Sequence, residues 1–119
     1  PDIVPAPQAL TVQSGIFRFL SATTIFVEND VISAENLQAT IQKMHGFRVP
    51  ISKKTQAIQI RIAVDTTLAQ PTDYYQLVVE KDLIQITGKS AAGAFYGTQT
   101  LLQSIRKEQD YFMVPLMVV

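Results

Sequence analysis

Hydrophobic and polar positions change period several times along the chain, and the changes mark out strands and helices. Residues 16–20 (IFRFL) and 24–27 (TIFV) are short runs of β-branched and aromatic residues around a Ser-Ala-Thr turn. They predict two strands at the start of a sheet. Over residues 30–45 the period becomes helical: Ala34, Leu37, Ile41 and Met44 share one face, while Glu35, Gln38, Gln42 and Lys43 lie elsewhere. Asn29, Asp30 or Ser33 can cap the start, and Gly46 can end the helix in a left-handed turn. Alternation returns with Ile58, Ile60, Ile62 and Val64 on one side and Gln59 and Arg61 between them. After a polar Pro71-Thr72-Asp73 turn, Tyr75, Leu77 and Val79 alternate, Lys81-Asp82 turns, and Ile84 and Ile86 alternate again. This predicts a β-hairpin.

Ser90 can cap a second helix reaching about Lys107, with Ala91, Phe95, Thr98, Leu102 and Ile105 on its buried stripe. Gly93 and Gly97 sit four apart on one side of it. Each costs about 1 kcal/mol relative to Ala inside a helix, so close backbone packing is the physical reason to keep two. Residues 3–7 (IVPAP) read as extended, since prolines oppose helix. Residues 111–119 (YFMVPLMVV) read as an apolar strand that Pro115 should confine to an edge or a linker. The order β-β-α-β-β-β-α-β predicts an α+β fold: a mixed, largely antiparallel sheet with two helices on one face.

Composition narrows the function. A chain of 119 residues, 47% apolar and 17% charged, suits one domain with a real core. Ten basic and ten acidic residues cancel, so no basic field recruits nucleic acid or an anionic membrane. No apolar run approaches the ~20 residues that span a bilayer. Without cysteine there is no disulfide, thiolate nucleophile or zinc–thiolate site, yet this does not fix the compartment.

Candidate chemistry is sparse. His45 is the single histidine, with no second His or Cys to complete a typical ligand set; at a helix end it fits a favourable interaction with the helix dipole. The carboxylates are Asp2, Glu28, Asp30, Glu35, Asp65, Asp73, Glu80, Asp82, Glu108 and Asp110. Glycoside hydrolysis needs two carboxylates facing each other, one kept protonated. These lie instead at turns, helix starts or polar strand positions. Asp65, at a strand end, could face a cleft. No Gly-x-Ser-x-Gly elbow occurs. Gly88-Lys89-Ser90 resembles the end of a phosphate loop, but Leu83 stands where that loop needs its first glycine. Tyr74, Tyr75, Phe95, Tyr96, Tyr111 and Phe112 could stack on sugar rings, although several fall on stripes expected to be buried. The residues therefore assign no catalytic, cofactor-binding or metal-binding position.

The segment Tyr75-Gln-Leu-Val-Val79, then Ile84-Gln-Ile86, then residues 90–103 (SAAGAFYGTQTLLQ) resembles the N-terminal domain of family 20 glycoside hydrolases, the β-N-acetylhexosaminidases. Ile3-Val-Pro-Ala-Pro7, Gly15-Ile-Phe17 and Val114-Pro-Leu-Met-Val118 are similar to that domain's start and end. Tyr74 departs from it, where the family more often has a small residue. The resemblance implies one non-catalytic N-terminal domain of a larger enzyme that removes terminal N-acetylhexosamine from glycans. Its partners would be the catalytic barrel of the same polypeptide, which carries a neighbouring Asp-Glu pair, and through it the glycan. No such dipeptide occurs here. Related domains precede family 84 O-GlcNAc hydrolases and α-glucuronidases, and a carbohydrate-binding module is the alternative of a different class. A periplasmic or secreted location is the expectation for the parent enzyme.

Overall fold

The computed structural model describes residues 11–55 and 58–119; the extended reading of residues 3–7 lies outside them. In chain order the elements are β1 (Thr11–Arg18), β2 (Thr24–Val27), α1 (Val31–His45), β3 (Ile51–Ser52), β4 (Gln59–Val64), β5 (Tyr75–Val79), β6 (Leu83–Gly88), α2 (Ala91–Ser104), β7 (Arg106–Glu108) and β8 (Tyr111–Val118). The strands form one sheet in the order β1-β8-β5-β6-β4-β2-β3, with β7 also pairing β8. The two helices contact each other and pack against the sheet, giving the expected α+β fold. Among the described residues four of the seven strand pairings are antiparallel and three, around β2, β4 and β6, are parallel.

One row of residues crosses the sheet beneath the helices: Ile25 pairs with Ile60, Ile60 with Ile84, Ile84 with Val79, and Val79 with Met117. All five are buried, at roughly 1.5–3 kcal/mol for each large aliphatic side chain taken from water. From above, α1 adds Ala34, Leu37 and Ile41, and α2 adds Ala94, Leu101 and Leu102.

Both helix starts behave as their caps dictate. The carboxylate of Asp30 accepts the amide of Ser33 at 3.1 Å and its hydroxyl at 2.5 Å. Ser90 Oγ accepts the amide of Gly93 at 3.3 Å. Gly46 ends α1 at φ 78°, a left-handed conformation that glycine adopts without strain. A Cβ on Gly93 would run into the carbonyl oxygen of Tyr74, one on Gly88 into the backbone of Ala94, and one on Gly97 to 2.5 Å from Ile86 Cγ2. Close packing is therefore what these glycines supply.

The first two strands do not pair with each other: β1 pairs with β8, whereas β2 pairs with β3 and β4. Three expectations change. Residues 111–119 form neither an edge nor a linker, because β8 lies between β1 and β5. Pro115 is tolerated there since β7 pairs with Tyr111, Phe112 and Met113 before it, and β5 with Met117, Val118 and Val119 beyond it. On the β1 side it adjoins a register shift between Val12 and Ile16; its missing N–H thus falls where the ladders are broken. The second helix stops at Ser104, with Ile105 extended at φ −72° and ψ 130°, and the next residues join β8 as β7. Finally, Met44 on α1 and Phe95 on α2 are 56% and 41% exposed, and Ala91 is exposed as well.

Candidate functional site

Because β2, β4 and β6 run parallel, their C-terminal ends and the starts of both helices come together. This is the end of an open α/β sheet at which ligands commonly bind, and it gathers Asn29, Asp30, Asp65 and Gly88-Lys89-Ser90. Its polar groups are committed internally. Asn29 exchanges two hydrogen bonds of 2.9 Å with the backbone of Val64, so its amide extends the β2–β4 ladder. Lys89 Nζ donates to the carbonyls of Thr66, at 2.6 Å, and Leu68. Ser90 Oγ donates to the carbonyl of Thr72 at 2.6 Å. The Gly88-Lys89-Ser90 tripeptide is thus a clasp on the loop between β4 and β5.

Asp65 belongs to the same clasp. Its carboxylate accepts the hydroxyl of Thr67 at 2.6 Å and the amide of Thr67 at 3.0 Å. These bonds, with a smaller contribution from the Lys89 charge, hold its pKa below the ordinary value. That is opposite to what a general acid requires. Glu28 pairs with Arg61; Glu35 on α1, Asp73 before β5, Glu80 and Asp82 in the β5–β6 turn, and Glu108 and Asp110 on the β7–β8 hairpin are exposed. Asp2 lies outside the described residues. Among the described residues no group of three His, Cys, Asp or Glu side chains could hold a metal ion, and no helix is long and apolar enough to cross a membrane.

His45 ends α1 half-buried among rings, 5.3 Å from Phe112 and 6.3 Å from Phe47. Burial lowers its pKa from the ordinary value, so the neutral imidazole is favoured and the expected charge–dipole role recedes. The six candidate stacking aromatics separate into three places. Tyr75 is wedged under α2, its hydroxyl 2.7 Å from Thr100 Oγ1, next to Tyr74. Phe95 and Tyr96 pair on α2 at 6.1 Å. Tyr111 lies beneath the Arg18 guanidinium at 4.3 Å, and Phe112 stacks on Phe47 at 4.4 Å. No shared stacking platform joins them.

The surface that remains is the outer side of the helix layer. Residues 90–105 carry no charge; on α2, Ala91, Ala92 and Phe95 are exposed and Tyr96, Gln99 and Gln103 half-buried. On α1, Ile32 is 72% exposed, and Val31 and Met44 are exposed as well. Hydrophobic periodicity had turned Phe95 inward. The absence of charge over sixteen residues was the available signal that the outer face of α2 is not an ordinary solvated one.

The fold is an α+β unit, a mixed sheet with two helices packed against it. Residues 1–119 match glycosyl hydrolase family 20, domain 2, and the chain belongs to that family. It is 34% identical over 115 residues to a β-hexosaminidase of Porphyromonas gingivalis, covering 92% of this chain and 14% of that protein. A solved family 20 β-N-acetylglucosaminidase superposes with a TM-score of 0.79 at 28% identity, over 100% of this chain and 22% of that one. An exo β-N-acetylglucosaminidase of Vibrio harveyi shares the fold, with a TM-score of 0.82 at 22% identity over 98% of this chain and 18% of its own. The chain thus spans about a seventh of the length of the curated relative and about a fifth of these structures.

Proposed function

We propose that this chain is the N-terminal, non-catalytic domain of a β-N-acetylhexosaminidase, and that it packs on and stabilises the catalytic barrel of the same polypeptide. The parent would remove terminal N-acetylhexosamine from glycans, with its catalytic acidic residues on the barrel rather than among residues 1–119. The observation that carries the packing role is the uncharged outer face of α2 around exposed Phe95, in a helix layer where Ile32 and Met44 of α1 are also exposed. An apolar patch of this kind marks an interaction surface.

The test compares thermal melting of the chain alone with its melting in the full-length parent, each with and without Phe95→Glu. An exposed position tolerates that substitution within about 0.5 kcal/mol in the isolated chain, while the parent should lose several degrees. Equal melting of the chain alone and in the parent, or no effect of the substitution in either, counts against packing. Titration with N-acetylglucosamine oligomers at millimolar concentration addresses direct sugar binding, and the scattered aromatics lead us to expect no heat or chemical-shift change.

A further inference from the structure

The second feature of note is a ring cluster at the far end of the sheet. Phe19 meets Phe17 at 5.3 Å and Phe47 at 5.2 Å, Phe47 stacks on Phe112 at 4.4 Å, and His45 stands edge-on to Phe112 at 5.3 Å. The end of α1, the segment after it, and β8 therefore meet largely through rings. His45 Nε2 is buried there without a hydrogen-bond partner. In the neutral imidazole this nitrogen can be a bare acceptor, which forfeits one hydrogen bond. In the imidazolium it becomes a buried charged donor with nothing to receive it, and that costs far more.

The charged groups on the surrounding elements give no relief. Lys43 on α1 and Arg48 just after it are exposed cations. Lys107 on β7 holds its ammonium 5.9 Å over the Phe112 ring, and Arg18 on β1 covers Tyr111, the titratable residue of β8. Arg106 and Glu108 on β7 are exposed, and neither bonds to His45. The five cations among these groups offer no acceptor to an imidazolium.

We propose that His45 is an acid-sensitive latch: its protonation loosens the contact between the end of α1 and the β7–β8 hairpin, leaving the α2 half of the sheet closed. The sign follows from linkage. An imidazole whose pKa is lower in the closed state stabilises that state fully above the open-state value near 6.5, and the stabilisation is lost as pH falls below it.

The chain has one histidine, so an NMR titration of the imidazole ring reads His45 alone; its midpoint should lie below 6.5. Amide exchange at residues 43–48 and 106–113, corrected for intrinsic rates, should accelerate by up to about tenfold per pH unit below that value. Amides of α2 should not follow, and His45→Phe should abolish the acceleration, with His45→Gln serving if the Phe variant does not fold. A midpoint at or above 6.5, or acid-induced exchange spread evenly over the sheet, would overturn the latch.

Discussion

The two ends of the helix layer are joined to the sheet by opposite means. Under α2 the contact is made by missing side chains: Gly88, Gly93 and Gly97 bring backbone against backbone and against Ile86. Beyond the end of α1 it is made by large ones, the rings of Phe17, Phe19, Phe47, Phe112 and His45. A backbone contact cannot give way, because peptide groups fixed in a strand and a helix have no rotamers to change. A ring cluster can shift by small rotations and keep most of its contact area. The first should therefore be intolerant and rigid, the second tolerant and able to open locally.

The sharpest way to break this contrast is Gly88→Ala. The new methyl would lie within the backbone of Ala94, so we expect a loss of about 3 kcal/mol or more, or failure to fold, by urea denaturation. Gly97→Ala would press its methyl on the buried Ile86 Cγ2 and the Tyr75 ring rather than on backbone, and the helix gains about 1 kcal/mol from the added alanine; a loss clearly smaller than that of Gly88→Ala would show that backbone, more than volume, is the obstacle. On the ring side, Phe112→Ala should cost about 2 kcal/mol, whereas Phe112→Leu should cost less than about 1 kcal/mol because the cluster re-closes. A Phe112→Leu loss as large as that of Gly88→Ala would erase the distinction.

Smaller effects sharpen it further. Ser90→Ala removes both the cap on Gly93 and the bond to Thr72; about 1 kcal/mol should be lost, with proteolysis becoming faster in the loop of residues 65–74. On the tolerant side, Gln109 occupies φ 28° at the turn between β7 and β8. Gln109→Gly should raise stability by about 0.5 kcal/mol at thermal denaturation, since glycine is unstrained at positive φ. A loss instead would mean that the Gln109 side chain anchors the hairpin.

Local signals in the chain determined much of this. Asp30, Ser90 and Gly46 set three helix ends because caps act through the backbone within a few residues. The alternation at Tyr75, Leu77 and Val79 and at Ile84 and Ile86 set the hairpin. Paired glycines in α2 announced a close approach, and the motif over residues 75–103 carried the family resemblance. Asp65 was legible as a strand-end carboxylate, and its bonds to Thr67, which lower its pKa, are the physical reason it makes a poor acid.

Tertiary structure decided what depends on partners distant in sequence. Strand order placed β2 beside β4, the parallel return that the helix over residues 31–45 provides as a crossover, and sent β1 across to β8, a partner about a hundred residues away. Pro115 looked like an edge residue and is interior, because the partners on either side are interrupted at that point. Phe95 looked like core and faces outward. The buried side of α2 is the one that fits the sheet most closely, lined by Gly93, Ala94 and Gly97, and a hydrophobicity count favours the large residue over the small ones that packing requires. The burial of His45, which lowers its pKa, was illegible for a similar reason: the rings that cover it arrive from residues 47 and 112, which no local pattern around position 45 reveals.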